Sequence, residues 1–155
     1  MNMRILGAFA AVALLAACSS NSSTPTPAPA ATSQGIVPGS QEDLVANVGD
    51  RVFFDFDRSS VKPDGKATLD KQAAWLAKFP QNNVQIAGNT DERGTEEYNI
   101  ALGNRRASAA RDYLAAKGVA GGRMTTISFG KDRPTALGST EEAWAQNRNA
   151  ITSVK

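Results

Sequence analysis

The stretch from Val84 to Asn99 decides the fold, and it reads VQIAGNTDERGTEEYN. In its first five residues every second position is apolar or small, which predicts a β-strand. Residues 91–94 follow the pattern of a tight turn, with Asp first and Gly fourth. A long helix is predicted from about Thr95 to Lys117. It ends at Gly118, because glycine readily takes the left-handed conformation that terminates helices.

Similar patterns lie on both sides of this stretch. Alternating residues predict a first strand, in which Val52, Phe54 and Phe56 share one face. The other predicted elements are a helix over residues 63–79, a strand over 124–129, a short helix over 141–147 and a strand over 149–154. This alternation of strands and helices predicts two main helices packed on a mixed sheet.

The long predicted helix has two polar residues on its apolar side. At about 100° per residue, Asn99 and Arg106 fall among the aliphatic side chains, whereas Arg105 falls on the polar side. A guanidinium directed toward a core needs a partner, because an unpaired buried charge is very costly. Helical side chains lean toward the helix N-terminus, so Arg106 is expected to reach back toward Asn99 and the turn at Asp91.

The residues alone leave two interpretations of this group open. In the first, Asp91 fixes its turn, Asn99 satisfies a nearby backbone group, and Arg106 pairs internally with Asp57 or Asp91. In the second, a carboxylate, an amide and a guanidinium form a pocket for a ligand that bears both charges. Arginine suits a ligand carboxylate and aspartate suits an ammonium group. A free amino acid, or the zwitterionic end of a branched one, would match such a pocket.

The composition narrows the classes of function. The chain has 17 basic and 15 acidic residues and no histidine among 155 residues. The near-neutral balance gives no support for nucleic-acid binding. The lack of histidine removes Ser–His and Cys–His catalysis and histidine metal sites. We therefore expect that the protein is not an enzyme and that it uses no cofactor.

Two alternatives built on the acidic residues are disfavoured. A glycosidase needs two carboxyls opposed across a cleft, one with a raised pKa. The acids near the turn are better explained as a solvated helix start, where Glu96 and Glu97 interact with the helix dipole. A calcium site of the EF-hand type would need a different spacing of oxygen ligands.

Cys18, the only cysteine, follows a short apolar run that begins after Arg4. This layout is typical of a secretory signal, and the run is shorter than the roughly 20 apolar residues that span a bilayer. Residues 15–18, LAAC, resemble the lipobox of bacterial lipoproteins. The resemblance implies cleavage after residue 17, a diacylglyceryl thioether on Cys18 and acylation of its new amino group. A plain secretory signal with a chance cysteine is the alternative.

The composition predicts three regions. Residues 1–17 form the signal peptide, and residues 18–47 form a tether rich in Pro, Ser and Ala. Such a tether cannot bury enough apolar surface to offset the entropy of ordering it. Residues 48–155 are enough for one compact domain.

Three segments resemble the OmpA-like peptidoglycan-binding domain. They are residues 52–57 (VFFDFD), 88–95 (GNTDERGT) and 98–107 (YNIALGNRRA), and shorter stretches up to residue 148 agree. The resemblance implies an α+β fold, an OmpA-like two-layer sandwich. In this fold two main helices and a short one pack on a mixed four-stranded sheet.

The family's site implies a ligand, the meso-diaminopimelate of uncrosslinked peptidoglycan stem peptides. Carried over by position, the implied binding residues are Asp91, Arg106, Asn99, Phe56, Asp57 and Leu102. Asp91 and Arg106 form the principal pair, which contacts the amine and the carboxylate. Asn149 replaces the second arginine of a common Asn-Arg-Arg run, so Arg148 and Asn149 are left out of the predicted site.

The resemblance also implies a location and partners. Ser19, rather than Asp, follows the lipidated cysteine, which implies an outer-membrane lipoprotein whose domain faces the periplasm. Its implied partners are the peptidoglycan stem peptide, the outer membrane through the lipid anchor, and the β-propeller protein TolB. In this family the Tol system supports outer-membrane integrity and constriction during cell division.

Overall fold

The computed structural model describes residues 35–155, which form four helices and a four-stranded sheet. The elements are α1 (Gln41–Asp43), β1 (Arg51–Phe53), α2 (Pro63–Lys78), β2 (Val84–Asn89), α3 (Glu96–Ala116), β3 (Met124–Gly130), α4 (Glu141–Asn147) and β4 (Asn149–Val154). A π-helical turn over Leu44–Val48 continues α1, and a 3-10 turn over Gly121–Arg123 precedes β3. In the sheet order β1-β4-β2-β3, β4 is antiparallel to both neighbours, while β2 and β3 are parallel. The predicted α+β fold with a mixed four-stranded sheet is confirmed.

Helix α3 has the limits that its sequence signals predict. Thr95 caps it, because its hydroxyl accepts a hydrogen bond from the backbone N–H of Tyr98 at 3.2 Å. Glu96 and Glu97 occupy the first turn, where negative charge interacts favourably with the helix dipole. Just beyond the helix, Gly118 has φ +95°, in the left-handed region that the predicted terminator requires.

The core lies where α2 and α3 pack on the sheet. Its largest fully buried apolar side chains are Leu44, Leu69, Leu76, Val84, Ile86 and Leu114. Asn99 and Arg106 are also buried on this side of α3, whereas Arg105 is exposed. The predicted orientation of the three polar residues is therefore confirmed. Within residues 35–155, the helices lack the combination of length and apolar character needed to cross a bilayer.

Two glycines let α3 lie directly against β2. A Cβ placed on Gly88 would overlap the backbone carbonyl of Gly103. A Cβ on Gly103 would in turn meet the Ser128 hydroxyl and the Gly88 backbone. Because backbone meets backbone here, the end of β2 and the first half of α3 are held in a fixed relation.

Strand β1 ends three residues earlier than predicted. Val52 and Phe54 are buried as expected, but Phe56 is 57% exposed, so the alternation does not continue to residue 56. The chain turns after Phe54, and the backbone N–H of Arg58 donates to the carbonyl of Asp55 at 3.2 Å. The carbonyls of Asp55 and Arg58 also accept hydrogen bonds from an arginine of α3, so they are not available to a strand ladder.

The predicted boundary between tether and domain lies too far along the chain. Leu44 is fully buried in the core, although the sequence assigned residues 18–47 to the tether. Asp43 Oδ2 accepts hydrogen bonds from Trp75 Nε1 and from the Gly39 backbone N–H, both at 2.8 Å. The local composition did not indicate that Asp43 belongs to the domain, because its partner, the Trp75 indole N–H, lies 32 residues further along the chain. The predicted signal peptide, Cys18 and residues 18–34 of the tether lie outside the described residues.

Asp43→Ala is expected to lower the melting temperature by a few degrees, because the hydrogen bonds that the Asp43 carboxylate accepts from Trp75 and Gly39 would be lost. A backbone hydrogen bond from Gly39, then Trp75 and Asn47, lowers the pKa of Asp43 from 3.8 to about 2. A lowered pKa in the folded state stabilises the fold fully above pH 3.8, and this contribution is lost as the pH falls toward about 2.

The measurement is the difference in melting temperature between the parent and the variant as a function of pH. That difference should be largest near neutral pH and shrink with acidification. Asp132→Ala removes an exposed acid and is the matched control. A difference that stays constant down to pH about 2 would contradict the prediction.

Candidate functional site

A cavity of about 220 Å³ opens between the first half of α3, the loop after β1 and the loop that joins β2 to α3. Its walls are formed by Phe56, Asp57, Thr90, Asp91, Arg93, Gly94, Tyr98, Asn99, Leu102 and Arg106. The six binding residues that the sequence predicts therefore line one cavity, although they come from three separate parts of the chain. The lipidation site, Cys18, lies outside the described residues.

Arg106 forms the floor of the cavity and donates to neutral backbone oxygens. Nε donates to the carbonyl of Arg58 at 2.9 Å, Nη1 to that of Asn89 at 2.8 Å and Nη2 to that of Asp55 at 3.1 Å. Within residues 35–155, no carboxylate forms an ion pair with it. The internal ion pair with Asp57 or Asp91, considered from the sequence, is not formed.

Among the residues that the structure describes, no counter-ion therefore contacts the charge of Arg106 directly. Burial lowers the pKa of Arg106 to about 10, although the nearby charge of Asp91 opposes this change. The guanidinium stays protonated at neutral pH. It has five N–H donors, and the described residues accept three of them, which leaves one on each Nη atom.

Asp91 lies beside this floor and is bound by two other arginines. Oδ1 accepts hydrogen bonds from the backbone N–H and the Nε of Arg93, at 3.2 and 3.1 Å. Oδ2 accepts from Arg93 Nη2 at 2.7 Å and, more weakly, from Arg148 Nη1 at 3.4 Å. Burial raises the pKa of Asp91, but Arg93, helped by Arg148, outweighs burial and the pKa is lowered. Asp91 is therefore ionised and held in one orientation at neutral pH.

Arg93 closes one wall of the cavity between two aromatic rings. Its guanidinium carbon lies 4.1 Å from the centre of the Phe56 ring and 4.0 Å from that of Trp144. The Trp144 indole N–H donates to Glu92 at 3.0 Å. Cation–π contacts with two rings restrict the motion of a guanidinium, so Arg93 is a well-placed partner for Asp91.

Asn99 serves the backbone, as one of the two interpretations suggested. Its Nδ2 donates to the carbonyl of Arg93 at 2.9 Å and to that of Thr95 at 3.0 Å. These bonds fix the loop that presents Asp91 and Arg93. The Oδ1 atom of Asn99 accepts no hydrogen bond from the described residues, so it remains an acceptor on the cavity wall.

Asp57 and Tyr98 form the outer edge of the cavity. Asp57 has φ 55°, and a left-handed backbone is uncommon for a residue other than glycine. The Tyr98 hydroxyl donates to the Asp57 carboxylate. This hydrogen bond raises the pKa of Tyr98. The contact ties the loop after β1 to the start of α3.

Two arginines that act on Asp91 were not predicted from the sequence. Arg93 lines the cavity, but its aromatic neighbours lie far away in the chain, so local sequence gave no signal. Arg148 was left out, yet it joins Asp91 to Glu141, to which its Nη2 donates at 2.7 Å. Arg148 also donates from Nε to the carbonyl of Phe54 at 3.1 Å. Asn149, also left out, does not line the cavity and donates instead to the carbonyl of Gln146 at 2.7 Å.

This arrangement suits binding better than acid catalysis. The floor is cationic, one wall presents a carboxylate and an amide oxygen, and Phe56 and Leu102 add apolar surface. A general acid requires a raised pKa, whereas the pKa of Asp91 is lowered. The cavity can therefore hold a small ligand that carries both an anionic and a cationic group.

Several known proteins resemble the chain. A peptidoglycan-associated lipoprotein of Rhizobium meliloti is 57% identical over 115 residues, which cover 74% of this chain and 65% of the relative. The chain thus aligns with just under two thirds of that relative's length. A peptidoglycan-associated lipoprotein of Haemophilus influenzae is 44% identical over 140 residues, with 90% of both chains covered.

Solved structures show the same fold. The crystal structure of the peptidoglycan-associated lipoprotein from Burkholderia pseudomallei superposes with a TM-score of 0.67 at 47% identity, covering 68% of this chain and 90% of that one. The C-terminal domain of Helicobacter pylori MotB reaches 0.64 at 19% identity, covering 68% and 84%, and this shows a shared fold alone. Residues 53–148 match the OmpA family. With a family match across the cavity and relatives of this similarity, the chain belongs to the OmpA family.

Proposed function

We propose that this chain binds peptidoglycan by holding the diaminopimelate of an uncrosslinked stem peptide in the cavity above Arg106. The relatives are named peptidoglycan-associated lipoproteins, which supports peptidoglycan as the polymer that the chain binds. The chemistry of the cavity supports diaminopimelate as the part of the stem peptide that it holds. The free end of diaminopimelate carries one ammonium and one carboxylate on the same carbon, which are the two charges that the cavity complements.

The observation that carries the proposal is the buried Arg106, which has no carboxylate partner within residues 35–155. A buried charge is costly, and proteins usually pair it. Here three backbone carbonyls hold the guanidinium, and two N–H groups remain unused. A ligand carboxylate supplies the missing negative charge and accepts these hydrogen bonds. Because Arg106 is shielded from water, side chains above it must move slightly before direct contact.

Asp91 is the proposed partner of the ligand ammonium. It already accepts four hydrogen bonds, so the ammonium must replace one of them. The bond from Arg148 is the longest, at 3.4 Å, and is the easiest to give up. The Oδ1 atom of Asn99 is a second acceptor for the same ammonium. Phe56, Asp57 and Leu102 enclose the aliphatic part of the ligand.

The chain would then link two layers of the envelope. We propose that Cys18 carries the lipid that holds the chain in the outer membrane, with the folded domain in the periplasm. The domain would anchor that membrane to peptidoglycan without a covalent bond. We also propose TolB as a second partner within the Tol–Pal system of outer-membrane integrity and cell division. This partner rests on the family resemblance.

Sedimentation with purified peptidoglycan sacculi tests the proposal. The full chain in detergent should sediment with sacculi, and excess free meso-diaminopimelate should release it. Cadaverine has the same carbon chain between two amines but lacks both carboxylates, and it should release little. A chain that stays in the supernatant, or that cadaverine releases equally well, would contradict the proposal.

A further inference from the structure

We infer that the cavity accepts diaminopimelate only when its free carboxyl group is ionised, and rejects stem peptides in which that carboxyl is a primary amide. The inference rests on the proposed function, because it concerns the same cavity. It adds a distinction that the proposed function lacks, namely between two chemical forms of one cell-wall residue.

The hydrogen-bond donors of Arg106 favour a carboxylate over an amide. A guanidinium donates and never accepts. Within residues 35–155 each of its Nη atoms makes one of its two possible hydrogen bonds, so this side chain offers a ligand donors and no acceptor. A carboxylate has two acceptor oxygens for these donors. A primary amide has one acceptor oxygen, and its NH2 group would bring two further N–H donors against Arg106.

The positive charge of Arg106 also favours a carboxylate over an amide. The acids nearest to Arg106 are engaged elsewhere: Asp91 with Arg93 and Arg148, Asp55 with Lys62, and Asp57 with Tyr98. None of them forms an ion pair with Arg106 in the described part of the chain. An ionised ligand brings a counter-charge into a site shielded from water, where electrostatic interactions are strong. A neutral amide would leave the cation as it is in the free protein.

The size of the effect follows from the kind of bond that is lost. An ionised carboxylate can accept two parallel hydrogen bonds from a guanidinium and brings the opposite charge, whereas a primary amide offers one acceptor oxygen and no charge. Exchanging a carboxylate for an amide at this position should weaken binding about 10- to 100-fold. The same exchange elsewhere on the stem peptide should change binding less than about threefold, because it leaves the contact with Arg106 intact.

The test compares three synthetic stem tetrapeptides by isothermal titration with the full chain in detergent. Each has the order L-Ala, γ-D-Glu, meso-diaminopimelate, D-Ala. The first has all carboxyls free, the second has the free carboxyl of diaminopimelate amidated, and the third has the α-carboxyl of D-Glu amidated instead. The first and third should bind alike, and the second at least about 10-fold more weakly.

The possible failures are distinguishable. If the first and second peptides bind equally, the inference is wrong and the proposed function stands. If the second and third peptides lose the same affinity, total charge governs binding and the inference is wrong. If none of the three binds, both the inference and the proposed function are overturned. No protein variant is needed, so a failure to fold cannot obscure the result.

Discussion

Arg106→Ala is expected to weaken sedimentation with sacculi about 10- to 100-fold, as judged from the loss of one charge-assisted interaction. The substitution removes the cation on the floor of the cavity together with its two unused donors. Arg105→Ala is the matched control. The two arginines are neighbours in α3 and have the same charge, but Arg105 is exposed and does not line the cavity.

The Arg106→Ala substitution also affects the stability of the fold, which must be measured together with binding. Arg106→Ala leaves the carbonyls of Asp55, Arg58 and Asn89 without their donor, which costs about 1–3 kcal/mol for each group left buried and unpaired. Denaturation by urea should therefore show lower stability. If the alanine variant does not fold, Arg106→Lys keeps the charge but loses the planar fork, and it should still bind more weakly. Equal loss of binding in the Arg105 and Arg106 variants would mean that general charge governs binding.

Gly88→Ala is expected to destabilise the domain more than alanine at any other described glycine. The new Cβ would overlap the carbonyl of Gly103, so β2 and α3 would have to separate. Overpacking in a close-packed region typically costs about 1–3 kcal/mol, and a clash with backbone belongs at or above the upper end. Since Asp91 follows β2 and Arg106 lies on α3, the same separation should also weaken sacculus binding.

Thermal and urea unfolding, followed by circular dichroism, measure this effect. Gly122→Ala is the matched control, because a Cβ at Gly122 meets no atom within 4 Å and the residue lies in a surface turn. The control should keep the parent's stability to within about 0.5 kcal/mol. A Gly88→Ala variant as stable as the parent would show that α3 does not depend on this close approach.

The sequence predicts much of the site because helix geometry is local. The spacing of apolar residues in α3 is enough to place Asn99 and Arg106 inward and Arg105 outward, and the structure agrees. The turn signal at Asp91 and the terminator at Gly118 are local in the same way. The site residues themselves came from the family resemblance, and the structure brings those six residues to one cavity.

The partners of these side chains were not predictable, because they come from distant parts of the chain. Arg106 takes its acceptors from segments 17 to 51 residues away, and they are carbonyls, which every residue has. Arg148 reaches Asp91 across 57 residues. No local pattern indicates such a contact. The strand predicted beyond Phe54 was wrong for the same reason, since the carbonyls of Asp55 and Arg58 accept hydrogen bonds from Arg106, which lies much later in the chain.

Residues 39–41, at the start of the domain, contact one end of strands β2 and β4, and the cavity lies at the other end of the same two strands. Gln41 accepts a hydrogen bond from the backbone of Val154, where β4 ends, and Asn82, just before β2, donates to Gly39. Asp91 follows the far end of β2, and Arg148 precedes the far end of β4. In the proposed arrangement, tension between the lipid anchor and the cell wall would run lengthwise along β2 and β4. The ladder bonds between them lie across that direction, so they would share the load together and not open one at a time.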